Sequence, residues 1–267
     1  MREFLRCSWA FFRRDAQITY SYPLALLMGL AGTVMRVVVL WLPAQLFADS
    51  AVFARHGGFI PFAVVGSTIM GFFMASYRGF SSSVRAEQAM GTLESVLMTP
   101  ASIAAIVTGS SSWTMTRALL DAAITLTAAS LFFGLELRGS PLAILVLLVL
   151  TNLTFSAMGM FSAAFAVVFK RGDPFRVFVG GASFLLGGVL YPVEILPSWL
   201  RLAGEFLPVT YGARALRNVV LEGRALDELL GDLFMLGMFA VIAVPSGLFA
   251  FGWAINRAKR DGSLLHY

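Results

Sequence analysis

The sequence predicts an all-α polytopic membrane protein: six transmembrane helices, an N-terminal amphipathic helix in the membrane interface and a re-entrant helical segment before the last span. Three observations lead there. The 267 residues are 58% hydrophobic and 13% charged, whereas a soluble domain is about a quarter charged, so polar side chains are too few to cover a water-facing surface. The apolar residues come in runs that mostly approach or exceed the roughly 20 needed to cross a bilayer core as helix. Runs such as LAILVLLVL lack the strict alternation of barrel strands, and a helix satisfies its own backbone groups in lipid.

Residues 1–22 form the first element. Leu5, Trp9, Phe12 and Ala16 recur at helical spacing, Phe4 and Phe11 widen the stripe, and Arg2, Arg6 and Arg13 fall opposite. Such a helix lies in the interface rather than across the bilayer. No small-residue cleavage site follows at a convincing distance, so the segment is expected to be retained, with Asp15 placed awkwardly on the apolar side. Cys7, the single cysteine, excludes an intramolecular disulfide and reads as ordinary packing.

The transmembrane domain takes residues 23–257, with spans at about 23–47, 59–77, 103–135, 141–169, 177–191 and 233–256. A charged segment, 78–100, separates the second and third spans, an external segment covers 192–232, and a tail covers 258–267. Six spans place both termini on one side, where twelve of the 20 Lys and Arg residues gather. Basic loops stay in the cytoplasm, so both termini and the charged segment are expected inside. The net charge of +5 follows from that topology and needs no nucleic-acid partner.

Charges inside spans ask for partners. Arg117 and Asp121 stand four apart in the third span and so share a face. A structural ion pair and a role in substrate contact or gating both fit this position. Arg36 lies well inside the first span with no acid nearby in sequence, so it must find a polar group on another helix or snorkel. In the fifth span, Gly180-Gly181 and Gly187-Gly188 repeat seven residues apart and offer a small-residue face for close helix approach. The segment from Pro192 to Leu207 is too short to cross twice, and its two prolines bracket Glu194; it reads as a pair of half-inserted helices at the outer rim. Trp199 there reads as an interfacial anchor or a substrate-exit contact, and Glu194 stands near the mouth.

Several chemistries are missing. The two lysines, Lys170 and Lys259, each lack a preceding glycine, so the GK pair of a phosphate-binding P-loop does not occur. His56 and His266 lie far apart without Cys or His neighbours, against a zinc site. Ser81 to Ser83 and Ser110 to Ser112 have no activating His or Lys beside them and no GxSxG turn. The chain is therefore not expected to be an enzyme, nor to hold a metal or cofactor.

Two motifs carry a family resemblance. Glu87, Gly91-Thr92-Leu93-Glu94, Leu97 and Thr99-Pro100 resemble the first cytoplasmic loop of ABC-2 type permeases, the membrane subunits of one class of ABC exporters. The run from Tyr191-Pro192 through Leu196-Pro197-Ser198-Trp199-Leu200 and Pro208-Val209-Thr210-Tyr211 to Arg217 is similar to that family's FPxxxLPxWLxxxxxxxPxTYxxxxxR signature, with Tyr191 in place of the commoner Phe. The resemblance covers nearly the whole chain and implies an ABC-2 exporter-like fold.

It also implies a separate ABC ATPase in two copies, which binds the ATP and Mg²⁺, and a second copy of this or a related permease, as in a homodimer. The segment from Arg85 to Thr99 would be the coupling helix, with Arg85, Glu87, Gly91, Thr92 and Glu94 meeting the ATPase. The N-terminal helix would touch the same partner. Arg36, Arg117, Asp121, Gly187, Gly188 and Glu194 are the candidates for the translocation path. The implied function is outward movement of a lipid-like, drug-like or glycan-linked molecule across the cytoplasmic membrane of a prokaryote. The alternatives are a secondary transporter, which would favour paired acids near the midplane and inverted repeats, and a structural or assembly protein of the membrane.

Overall fold

The computed structural model describes residues 2–47, 50–54, 57–89, 91, 103–169 and 174–260, and every regular element among them is helical. In order these are α1 (Arg2–Tyr20), α2 (Pro23–Val39), α3 (Trp41–Leu46), α4 (Ala51–Ala54), α5 (Phe59–Ala89), α6 (Ile103–Phe133), α7 (Pro141–Phe169), α8 (Pro174–Leu186), α9 (Ser198–Glu205), α10 (Pro208–Glu222) and α11 (Leu230–Arg260). Short 3-10 turns at Val193–Ile195 and Leu226–Leu229 join the later helices. Five stretches are long and apolar enough to span a bilayer: Pro23–Leu46, Phe59–Gly79, Ser112–Phe133, Pro141–Val168 and Leu226–Ala258. The chain is thus an all-α polytopic membrane protein. The expected fifth span is instead the shorter α8.

α5 is the central helix and packs against both α6 and α7. Small residues set its close approaches. A Cβ on Gly79 would stand 2.5 Å from the Thr114 side chain of α6, and one on Gly159 of α7 would stand 2.6 Å from the Tyr77 carbonyl. Phe73 meets Phe155 edge-on at 4.9 Å, and Ser76 donates a 2.7 Å hydrogen bond to Asn152, so the buried polar pair is satisfied. α11 runs along α7 on a seam of Ala157, Ala163, Ala164, Ala254 and Ala258. Without a hydrophobic driving force between lipid-bathed helices, such small residues gain packing by letting backbones close in.

α1 docks on the first half of α6. Trp113 Nε1 donates to Thr19 Oγ1 at 2.8 Å, the Trp113 ring meets Phe12 edge-on at 5.5 Å, and Gly109 leaves room for Ser8 and Phe11. Leu5 and Trp9 point outward from this contact. Asp15 pairs with Arg14 at 2.9 Å, which accounts for an acid beside the apolar stripe.

Two departures from the sequence reading have simple causes. α5 does not stop near Tyr77 but continues to Ala89, because Ala86, Glu87, Gln88 and Ala89 favour helix, no proline intervenes and Gly79 stays helical where it packs on Thr114; Gly91, just past the helix, has φ +69°. α8 is 13 residues, a rise of about 20 Å, because Gly187 and Gly188 turn the chain while it is still inside the bundle. There the Val189 carbonyl packs against Gly66 of α5 so closely that no side chain fits between them. The remaining outer layer is filled by α9, against α8, and by α10, which is buried on almost every side among α5, α7 and α11. α10 starts near the level of Ile69, where Gly212 packs, and climbs to the 134–140 loop, whose Arg138 amide donates to the Val220 carbonyl at 3.0 Å.

Candidate functional site

On one side of α5, Ser67, Gly71, Met74, Ala75 and Arg78 follow helical spacing. They face α2, α6 and α8 across an open cavity of about 710 Å³, closed at one end by Val189 and Leu190 of the glycine turn. Ser67 to Arg78 is a rise of about 16 Å, half the roughly 30 Å thickness of a bilayer core. Arg36 of α2 lies against Gly71, where a Cβ would stand 2.6 Å from Arg36 Nη1. Asp121 of α6 also lines the cavity. Because Thr114 is level with Gly79 on antiparallel helices, Asp121, two turns on, comes level with Phe72 and so with Arg36.

Among the described residues, the charges around this cavity are unmatched. Arg36, Arg78 and Asp121 make no ion pair or side-chain hydrogen bond with another described residue. Arg117 and Asp121, which share a helix face, are not joined either among the described residues: the Arg117 guanidinium reaches across to Gly29 of α2, with Nη2 3.6 Å from where a Cβ would be, while Asp121 faces the cavity. A lone charge at the centre of a membrane helix costs at least about 2.5–3.5 kcal/mol. Polarity of this sort is retained where a site uses it.

A second, outer cavity of about 790 Å³ lies among Gln45, Phe59, Glu136, Arg138 and Glu222. Its charges are already matched, Arg138 with Glu136 at 2.9 Å and Glu222 with Arg224 at 2.7 Å. Among the described residues, no three His, Cys, Asp or Glu side chains gather as a metal site would require.

The outer wall of the first cavity is held by a residue that sequence spacing had placed in an external loop. Arg217 of α10 is buried, 7% exposed. Its Nη2 donates to the Val189 carbonyl at 2.9 Å, Nε and Nη2 approach the Phe62 carbonyl at 3.4 Å, and the guanidinium lies 3.5 Å over the Phe62 ring. Nearby, Arg214 pairs with Asp232 of α11 at 2.5 Å, and Tyr211 donates to Glu205 at 3.0 Å. The signal for Arg217 was its setting: Ala213, Ala215, Leu216, Val219 and Val220 surround it with the residues of a buried helix.

The other candidates fall in three places. Gly180 packs on Met74 and Gly181 is open, while Gly187 and Gly188 lie past the end of α8. The four glycines therefore do not share a helical face; Gly188 serves the turn with φ +64°, and Gly187 makes room for Val209. Glu194 sits in the 3-10 turn, where its carbonyl accepts a 2.7 Å hydrogen bond from Arg201, and it is outside the cavity wall. Arg85 and Glu87 are in the last turns of α5 and Gly91 follows it, whereas Thr92 and Glu94 lie outside the described residues. Arg78, read from sequence as a cytoplasmic loop residue, was missed as a cavity group; its signal was the seven-residue spacing from Gly71 along one helix.

Residues 3–221 match the family model described as ABC-2 type transporter. The chain belongs to the ABC-2 type transporter family. Among curated ABC-2 relatives it is 31% identical over 137 residues to nodulation protein J of Rhizobium leguminosarum bv. trifolii, covering 51% of this chain and 52% of that one. It is 29% identical over 157 residues to the inner membrane transport permease YadH of Escherichia coli, covering 58% and 61%. It is also 28% identical over 125 residues to the linearmycin resistance permease protein LnrN of Bacillus subtilis, covering 47% and 32%. The match spans between about a third and three fifths of the length of these relatives. The family and the apolar helices together make this chain a multi-pass membrane protein of the ABC-2 type transporter family.

Proposed function

We propose that the chain is the membrane-spanning subunit of an ATP-driven exporter and that the cavity beside α5 is part of its path. The observation that carries this reading is a cavity reaching through about half of a bilayer core, whose two arginines and one aspartate have no partner among the described residues. A separate ABC ATPase in two copies supplies the energy with ATP and Mg²⁺, and a second copy of this or a related permease completes the unit. The substrate is a lipid-like, drug-like or glycan-linked molecule; one relative is named for linearmycin resistance and another for nodulation. A relative named as an inner membrane transport permease supports the same membrane here; the basic residues near the termini support a cytoplasmic place for both, with α9–α10 re-entering from outside.

In this reading the ATPase grips the segment that continues α5 beyond Arg78. Movement there is transmitted along α5, whose other side lines the cavity. Export and ATP hydrolysis measured in inverted vesicles with the partner ATPase test this directly. Gly91 has φ +69°, which proline, locked near −65°, cannot adopt. Gly91→Pro and Glu94→Arg should therefore abolish transport and ATPase stimulation while leaving membrane insertion intact. Normal pull-down of the ATPase together with normal transport by both variants would refute the docking role.

A further inference from the structure

We infer that the cavity between α2, α5, α6 and α8 binds an acidic amphiphile, its phosphate or carboxylate oxygens on Arg36 and Arg78 and its apolar body against Met70, Phe184, Val189 and Leu190. The inference rests on the permease reading and names the class of its cargo. Charge is the first argument. Two guanidinium groups face one carboxylate, and none of the three has a partner among the described residues, so the wall carries one uncompensated positive charge. Planar guanidinium groups match carboxylate and phosphate oxygens in paired hydrogen bonds.

Arrangement is the second argument. Arg78 lies at the α1 side of the cavity, two helical turns, about 10 Å, from the Gly71 level where Arg36 sits. An acidic head held between Arg78 and Arg36 leaves its chain to run on to the closed end, where it finds methionine, phenylalanine and aliphatic groups. Asp121 stands level with Arg36 across the cavity. An anion on Arg36 must work against that carboxylate, which weakens binding at mid-depth and favours onward release. Asp121 is thus assigned as the group that limits affinity.

The test uses the full chain in nanodiscs of neutral lipid and three fluorescent probes on the same dodecyl chain: a dansyl-labelled phosphate, its alcohol and its trimethylammonium analogue. The phosphate should bind about tenfold or more tightly than either of the others. Arg36→Gln and Arg78→Gln should each weaken it about tenfold, the effect of one charge-assisted hydrogen bond, and Arg36→Lys should retain part of it. Asp121→Asn should tighten phosphate binding by about threefold, a change of sign that loss of fold does not produce. Excess inorganic phosphate should fail to displace the probe; displacement would mean that the site reads a free anion and not an amphiphile. Equal binding of all three probes, or insensitivity to the arginine changes, overturns the assignment. Export assays with the ATPase separate the two readings: a chain that exports but does not prefer the anion loses only this inference, and one that binds the anion but exports nothing loses the permease reading.

Discussion

Arg217 shows how one side chain fixes an element that lacks a membrane-spanning length of its own. The Val189 carbonyl ends a turn inside the bundle, and its donor is the Arg217 guanidinium at 2.9 Å. Removing that donor leaves a buried carbonyl unsatisfied, at about 1–3 kcal/mol, and forfeits a desolvated contact with the Phe62 ring worth about 2 kcal/mol. Arg217→Gln should therefore destabilise the protein by about 3 kcal/mol, read as a lower midpoint of thermal unfolding in detergent, whereas Arg217→Lys should lose less because it keeps the charge. Equal stability of Arg217→Ala and wild type would show that the turn is held by something else. Gly66 lies under the same turn. A Cβ there collides with the Val189 backbone, which cannot swing aside, as well as with the Arg217 guanidinium, so Gly66→Ala should displace the turn and cost at least about 1–3 kcal/mol. Retention of full stability by that variant would contradict the close approach.

At the scale of elements, what the sequence disclosed depends on the kind of signal. Long apolar runs disclosed α2, α5, α6, α7 and α11, since length against bilayer thickness is a strong constraint. The stripe in residues 1–22 disclosed α1. What it did not disclose was which apolar side of α1 meets protein: Phe12 and Thr19 touch Trp113, a residue about a hundred positions away, and only tertiary packing decides that. The small-residue pattern of the fifth span misled for a related reason. Glycines serve equally as helix contacts and as turn formers, and the positive φ of Gly188 cannot be read from spacing. Arg36 and Asp121 were legible as charges in spans, but their meeting across one cavity required the antiparallel register of α5 and α6. The α1–α6 contact gives an element-scale prediction. A Cβ on Gly109 would stand 2.7 Å from Phe11 Cβ and 3.1 Å from the Ser8 backbone, so Gly109→Val should lift α1 away. Cys7, half-buried on α1, should then react faster with maleimides; an unchanged rate would mean that α1 tolerates the added bulk in place.

Across the whole molecule, the number of crossings decides which side each functional surface meets, and α8 is the helix on which that number turns. It starts where α7 ends, near one face of the bundle, and stops at the level of Gly66, with α9 and α10 completing the outer layer. If α8 counts as a crossing, α1 and the end of α5 face the cytoplasm while α9 faces outside; if it does not, α9 shares the side of α1. The basic residues near the termini favour the first arrangement. The chain's single cysteine makes the distinction measurable without further engineering at the N-terminus. Cys7 should be labelled by a membrane-impermeant maleimide in inside-out vesicles and protected in right-side-out ones. In a Cys7→Ser background, Leu202→Cys, at an exposed position on α9, should give the opposite pattern. Labelling of both positions from the same side would remove α8 from the crossings and place the outer segment on the side of α1, against the proposed exit rim. Opposite labelling puts the Arg78 end of the cavity on the side of α1 and the Val189 end on the side of α9, the direction that the proposed export needs.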